Sequence, residues 1–297
     1  MQRPAITYIV PTYNSSCFIK ETLLSAKSAS GNLAYEIILI DDCSSDIDQL
    51  RTIAANTPHC VLIEKKIKTN AADSRRLGVE ASNGIYVQFL DSDDRLVPNS
   101  QPGKLATLIK TGADFIVTAF VEGDNIIRSE LEENLALTGD GRIYLFEKGL
   151  DVRSSVVLID KSSFQNKTFN PALTKHQDWG FFIEALDRGL KFCYSKEVAT
   201  IIDDRRVGRM SSRVNKEGSK LFISLAKLSK NQSSNLAKRH IKICLYCNDF
   251  QAFKYYASLL TKTPNSLKNT IIRTIATAPF GKYIFKPLSY LLRAVKI

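Results

Sequence analysis

The sequence predicts an α/β fold: a Rossmann-like, mostly parallel sheet followed by a helical, basic C-terminal extension. Three observations predict it. Short apolar, β-prone runs (Ile6–Val10, Glu36–Ile40, Cys60–Ile63 and Gly84–Leu90) alternate with segments of helical period. Carboxylates stand together directly after two of those runs, at Asp41-Asp42 and at Asp91, Asp93 and Asp94. Charge is unevenly divided: residues 205–297 carry 19 Lys or Arg against two acids, while residues 1–204 carry 22 against 28. The expected organisation is a domain of residues 1–212 followed by a basic region of residues 213–297.

Ile6–Val10 is the first strand, and Pro11-Thr12-Tyr13-Asn14 breaks it. Ser15 or Ser16 caps a helix to about Ala29, with Phe18, Ile19, Leu23, Leu24 and Ala26 as its apolar face. Glu36–Ile40 is the second strand; after its aspartates, Ser44, Ser45 or Asp46 caps a helix to Ala55. Cys60–Ile63, a helix over Ala71–Ala81 and the Gly84–Leu90 strand continue the rhythm. Right-handed crossovers of this kind give a parallel sheet, whose carboxyl ends share one edge. Farther on, Leu105–Lys110 reads as helix, and Asp114–Val121 and Val156–Asp160 as strands. Then Trp179, Phe182, Ile183 and Leu186 fall on one face of a helix with Asp178 in its first turn. Lys220–Ala257, Asn265–Ala278 and Tyr283–Val295 read as helices, the last two split at Pro279-Phe280-Gly281.

Composition excludes several classes. No run of 18 apolar residues reads as a membrane span, and Met1–Pro11 lacks the apolar core and cleavage site of a signal peptide, Ile6–Val10 reading as a strand instead. Six cysteines show no framework spacing, which implies a reducing, cytosolic compartment. Cys244 and Cys247 form a lone Cys-x-x-Cys pair in an apolar helical pattern, which favours buried thiols over zinc. The first turn lacks Gly-x-Gly-x-x-Gly, and no Gly-x-x-x-x-Gly-Lys-Ser/Thr occurs. The strand ends offer different chemistry. Asp91, Asp93 and Asp94 repel one another, and a hard divalent cation with oxygen ligands would compensate them; an acidic turn is the plainer reading. Tyr13 offers a ring on which a base stacks. Asp178 is a carboxylate near a helix N-terminus, favourable there through the dipole alone.

Five segments in order resemble the family 2 glycosyltransferases, nucleotide-sugar enzymes of the GT-A fold, over about the first 210 residues. They are Ile9–Asn14, Ile40–Asp46, Ala72–Gly78, Asn83–Asp94 and Gln177-Asp178 before an aromatic helix. The resemblance implies that Pro11, Thr12 and Tyr13 contact uridine, that Asp42 reads the uracil edge, and that Arg75 faces base and diphosphate. It implies that Asp91 lies near the ribose and the metal shell, and that Asp93 ligates Mg²⁺ or Mn²⁺ on the diphosphate. Asp178 corresponds to the catalytic base. Gln177 stands where the family has glutamate, and Arg76 where it has asparagine. The expected activity is inverting transfer from a UDP-sugar to a glycan or lipid-linked acceptor in bacterial surface polysaccharide or lipopolysaccharide synthesis.

Two further segments carry expectations. Arg205, Arg206 and Arg209 are candidates for a loop over the diphosphate, or else a solvated basic linker. The apolar stripe Ile284, Phe285, Leu288, Leu291, Leu292 and Val295, framed by Lys282, Lys286, Arg293 and Lys296, suits either intramolecular packing or an anionic membrane surface. The second option makes the protein peripheral at the inner face of the cell membrane. A sugar-nucleotide nucleotidyltransferase is the alternative enzyme, disfavoured by the missing glycine-rich basic loop. A phospho-receiver places its acids after the first strand and needs less than half this length. A non-enzymatic nucleic-acid binder would use the basic tail, but few aromatics interleave its cations, so no nucleic-acid partner is expected.

Overall fold

The structure, a computed structural model, describes residues 3–203, 213–261 and 267–294. In chain order the first elements are β1 (Ile6–Thr12), α1 (Ile19–Ser30), β2 (Tyr35–Asp41), α2 (Ile47–Ala55), β3 (Cys60–Glu64), α3 (Ala71–Ala81) and β4 (Tyr86–Phe89). Next come β5 (Arg95–Leu96), α4 (Ser100–Thr111), β6 (Phe115–Glu122), β7 (Asn125–Ile127), α5 (Gly141–Phe146), β8 (Val157–Asp160), α6 (Lys161–Phe164), α7 (Gln177–Asp187) and β9 (Phe192–Ile202). The C-terminal elements are α8 (Lys216–Leu225), α9 (Lys230–Cys247), α10 (Phe250–Leu259), α11 (Leu267–Thr277) and α12 (Gly281–Ala294).

The chain divides into two compact units. The first holds residues up to Gly141 and from Lys148 through β9; the second holds Arg142–Glu147 and helices α8–α12. In the first unit the strands form one sheet in the order β3-β2-β1-β4-β8-β6-β9-β5, with β7 beside β6. β1, β2, β3, β4, β6 and β9 run one way, and β5, β7 and β8 run the other. The sheet is therefore mostly parallel, as the alternating pattern predicts, with antiparallel members in its second half.

β1 continues through Pro11 and Thr12, which pair with Ile40 and Asp41, so the strand does not break at the proline. Backbone polarity explains this. Ile9 accepts from Leu90 on the β4 side, and Thr12 accepts from Asp42 on the β2 side. Strand alternation turns Pro11 toward β4, beyond the last pair of that ladder at Ile9 and Phe89, so its missing N–H forfeits no bond. The α1 cap also differs from expectation. Phe18 holds the cap position, and Ser15 serves through its carbonyl, which accepts from Phe18 and Ile19.

β9 escapes the apolar pattern because Ser195-Lys196-Glu197 interrupts it. The ladder with β6 shifts register between Thr118 and Phe120, so two short matched runs add up to one long strand. Its residue Phe192 joins an aromatic core in which Phe115 lies 5.8–5.9 Å from Phe164, Phe181, Phe182 and Phe192. Each such ring contributes roughly 1.5–3 kcal/mol by burial, enough together to fix α7 on the sheet. The buried face of α7 is Gln177, Gly180, Phe181, Phe182, Ile183, Ala185 and Leu186. Trp179 is only partly buried and stacks on His176 at 4.7 Å.

α3 approaches β1 closely at Gly78, where an added Cβ would stand 2.4 Å from Ile9 Cγ2. Gly78→Ala is expected to destabilise the fold by about 1–3 kcal/mol through overpacking, read as a lowered denaturation midpoint. An unchanged midpoint would show that the α3–β1 contact yields.

In the second unit, residues 142–147 dock on α9. Asn235 Nδ2 donates to Phe146 O at 2.8 Å, Arg239 to Leu145 O at 2.6 Å, and Gln232 Nε2 to Glu147 at 2.9 Å. A capping box of Ser229 and Gln232 starts α9. Cys244 is buried and Cys247 exposed, both free thiols, and burial pushes the Cys244 thiol up to about 12. Among the described residues no helix is long and apolar enough to cross a membrane.

Candidate active site

The site grows from the carboxyl edge of the parallel strands. β1 ends in Thr12, buried, followed by Tyr13, which is 44% exposed with Lys68 Nζ 3.3 Å above its ring. Asn14, in the left-handed region at φ 49°, joins this turn to the next: its N–H donates to Ser44 Oγ and its Oδ1 accepts from the Ser45 N–H, both at 2.9 Å. Ser44 in turn donates twice to Asp41, through N–H and hydroxyl.

Asp42 is buried and receives two bonds on Oδ1, from Lys65 at 2.7 Å and from the Thr69 N–H at 2.8 Å. Lys65 also meets Asp73 at 2.9 Å, and Arg76 holds Asp73 at 2.8 Å and Glu80 at 2.6 Å. Burial works to raise the Asp73 carboxyl, yet bonds from Arg76, Lys65 and Thr69 hold it down at about 2. Arg76, where the resemblance led one to expect asparagine, is thus an ion-pair partner within α3.

Arg75, one residue earlier on α3, is nearly fully buried. It donates to Asp91 Oδ1 at 2.5 Å and to Gln177 Oε1 at 3.0 Å, and its guanidinium lies 4.9 Å from the Phe169 ring. Gln177 passes the restraint on by donating to Leu173 O at 2.8 Å. One cation therefore ties the acidic turn after β4 to the first turn of α7.

Asp91 and Asp93 are half-buried, while Asp94 is buried and accepts from Ser155 Oγ at 2.5 Å and from the Asp203 N–H at 3.1 Å. Burial, then the charges of Asp91 and Asp93, pushes the Asp94 carboxyl well above the usual carboxylate range. Asp178, half-buried, accepts from Ser154 Oγ. Burial pushes its carboxyl up, Arg75 draws it back, and the Asp91 charge raises it again.

Ser154 and Ser155 are the residues that sequence reasoning missed. They sit in a 3-10 turn, Ser154–Val156, at the start of β8. Because β8 is antiparallel to β4, that start lies at the same sheet edge as the carboxyl end of β4. Ser155 accepts from the Asp91 N–H at 2.9 Å while donating to Asp94, and Ser154 donates to Asp178. Lys65 was missed as well; a lysine after a short strand carries no signal of its partners. Arg205, Arg206 and Arg209 lie outside the described residues.

Among the described residues no three His, Cys, Asp or Glu side chains are grouped to hold a metal by themselves. The donor chemistry nonetheless fits a hard cation. Asp91 and Asp93 would supply carboxylate oxygens, and burial together with their two charges pushes the neighbouring Asp94 carboxyl up. Such an ion would take its remaining ligands from phosphate oxygens and water.

This fold is shared with sugar-transferring enzymes of known structure. The structure of S. aureus TarS 1–349 in complex with UDP-GlcNAc superposes with a TM-score of 0.64 at 16% identity, covering 98% of this chain and 91% of that one. A mannosyltransferase from Pyrobaculum calidifontis in complex with GDP-Man and Mn²⁺ matches with a TM-score of 0.51 at 14% identity, covering 100% and 87%. These likenesses define the GT-A class of fold. The model of glycosyl transferase family 2 matches residues 7–166, and the chain belongs to that family: it is a glycosyltransferase. An uncharacterized glycosyltransferase of Haemophilus influenzae is 28% identical over 73% of this chain and 84% of its own length. TuaG of Bacillus subtilis, a putative teichuronic acid biosynthesis glycosyltransferase, is 30% identical over 40% of this chain and 47% of its own.

Proposed function

We propose that this chain transfers a sugar from a UDP-sugar to a glycan or lipid-linked acceptor, with inversion, in synthesis of a bacterial surface polysaccharide. The observation that carries this reading is the Arg75 bridge, which brings Asp91 and the Gln177-Asp178 turn within one buried hydrogen-bonded cluster. A donor site and a base must lie this close for an acceptor hydroxyl to attack the anomeric carbon. TuaG, AmsB of Erwinia amylovora (amylovoran biosynthesis) and the TarS complex support the polysaccharide class and the uridine nucleotide.

In this reading Pro11, Thr12, Tyr13 and Asp42 receive the uridine. Asp42 Oδ1 is held by Lys65 and Thr69, which orients the carboxylate toward a base edge. Asp91 and Asp93 would hold Mg²⁺ or Mn²⁺, which would supply Lewis-acid neutralisation of the leaving diphosphate. Arg75 adds a fixed positive charge beside Asp91. Asp178 takes the proton of the acceptor hydroxyl as its oxygen attacks and the bond from sugar to diphosphate breaks. Thermal-shift screening of UDP- and GDP-sugars, with and without Mn²⁺, tests the reading. A Mn²⁺-dependent upward shift with one UDP-sugar is expected, and equal shifts for every nucleotide would count against it.

Catalysis is assigned to residues 1–212 and surface attachment to residues 213–297. In α12, Lys282, Tyr283, Ile284, Lys286 and Leu288 are exposed and Phe280 lies just before them, while Phe285 packs 4.9 Å from Phe253. Exposed aromatics beside lysines match an anionic bilayer surface in chemistry. The stripe's outer members, Leu291, Leu292 and Val295, lie beyond the side chains described. Deleting residues 265–297 is expected to release the protein from anionic vesicles in flotation assays. Retention of the truncated chain would place the anchor elsewhere.

A further inference from the structure

A lysine with no acidic partner in contact lies inside the catalytic unit. Lys104 of α4 is 3% exposed, and its Nζ donates to Gln88 Oε1 and to Val156 O, both at 2.8 Å. Neither acceptor is charged. Burial pushes its ammonium down to about 7, and a neutral amine, with two N–H groups, satisfies both acceptors. Burying a lysine rather than a leucine is costly, so the bonds it makes are the reason to look at what they hold.

They hold the Ser154–Val156 turn. Gln88 of β4, fully buried, passes the contact on through Nε2 to Ser155 O at 2.9 Å, and Thr200 of β9 meets the same carbonyl at 2.9 Å. Two successive carbonyls of the turn are thus restrained from α4, β4 and β9. Its two hydroxyls face the other way in function: Ser154 bonds Asp178, and Ser155 bonds both Asp94 and the Asp91 N–H.

We propose that Lys104 is a positioning residue for glycosyl transfer, fixing through Gln88 and the Val156 carbonyl the turn that aims Asp178. The inference rests on the reading of Asp178 as base. Lys104 touches neither donor nor acceptor, and it acts on them only through the backbone of the turn. Small displacements of a base are costly, which is why a residue one shell away has a measurable effect.

The test follows UDP release from the UDP-sugar selected by thermal shift, at a temperature where each variant is folded by near-UV circular dichroism. Lys104→Met keeps the chain length and removes both donors. It is expected to lower kcat roughly 10²-fold while the donor KM moves by less than about threefold. Ser154→Ala removes the last link directly. If Lys104 acts through the turn, Lys104→Met/Ser154→Ala turns over no more slowly than the slower single variant. A kcat for Lys104→Met within about twofold of the parent, or effects that multiply in the double variant, would overturn the proposal. Should Lys104→Met fail to fold, Gln88→Leu breaks the same link from the other side and takes its place in the cycle. Asp178→Asn separates the two readings: if it still turns over, both fall, and if it is inactive while Lys104→Met is active, only this one does.

Discussion

Asp178→Asn is expected to keep donor binding and to lose transfer by roughly 10²–10⁴-fold, the range that a general base contributes. Asparagine retains an acceptor for Ser154 Oγ and the size of the side chain, so the change is confined to basicity. The pH profile follows from the same site. A base works ionised, and burial raises this carboxyl, so activity falls on the acid side at a pH above the ordinary aspartate range. The stability sign is opposite. A carboxyl raised in the folded state binds its proton more tightly there, so its contribution falls as pH rises from the unfolded value through the folded one. At neutral pH the asparagine variant is therefore expected to melt no lower than the parent. Single-turnover kinetics with the selected UDP-sugar reads the first effect, and substantial residual turnover would remove Asp178 as base.

Asp93→Ala is expected to abolish the metal-dependent part of UDP affinity while leaving the metal-free part intact. Asp94 has both carboxylate oxygens engaged, by Ser155 and by the Asp203 N–H, so it does not replace the lost oxygen without breaking a bond. Titration calorimetry with UDP, with and without Mn²⁺, measures it. A loss of roughly 10-fold or more, seen only with the metal, is expected on the scale of a lost ligand to a bound ion. Unchanged affinity with Mn²⁺ would exclude Asp93 from the ion's shell.

Much of this site was legible because each piece is local. Pro11–Asn14, Asp41-Asp42 and Asp91–Asp94 follow apolar runs, and a parallel sheet sends such ends to one edge whatever the intervening helices contain. The Arg75–Gln177 contact was not legible, since 102 residues separate the partners and no pattern in either segment names the other. Lys65 and Asp42 illustrate the same limit over a shorter span. Their pairing at 2.7 Å depends on how the chain leaves β3 toward α3.

By itself the sequence determined the alternation of strands and helices through residue 90, the acidic strand ends and the basic C-terminal third. Those follow from side-chain period and composition, which need no knowledge of distant neighbours. Tertiary structure alone decided the direction of β8. A strand's apolar run reads the same in either direction, but the antiparallel one brings Ser154 and Ser155 to the carboxyl edge and makes them partners of Asp178 and Asp94. The docking of residues 142–147 on α9 was decided there too, by the Asn235 amide and the Arg239 guanidinium reaching backbone carbonyls, and the Gln232 amide the Glu147 carboxylate, about ninety residues away.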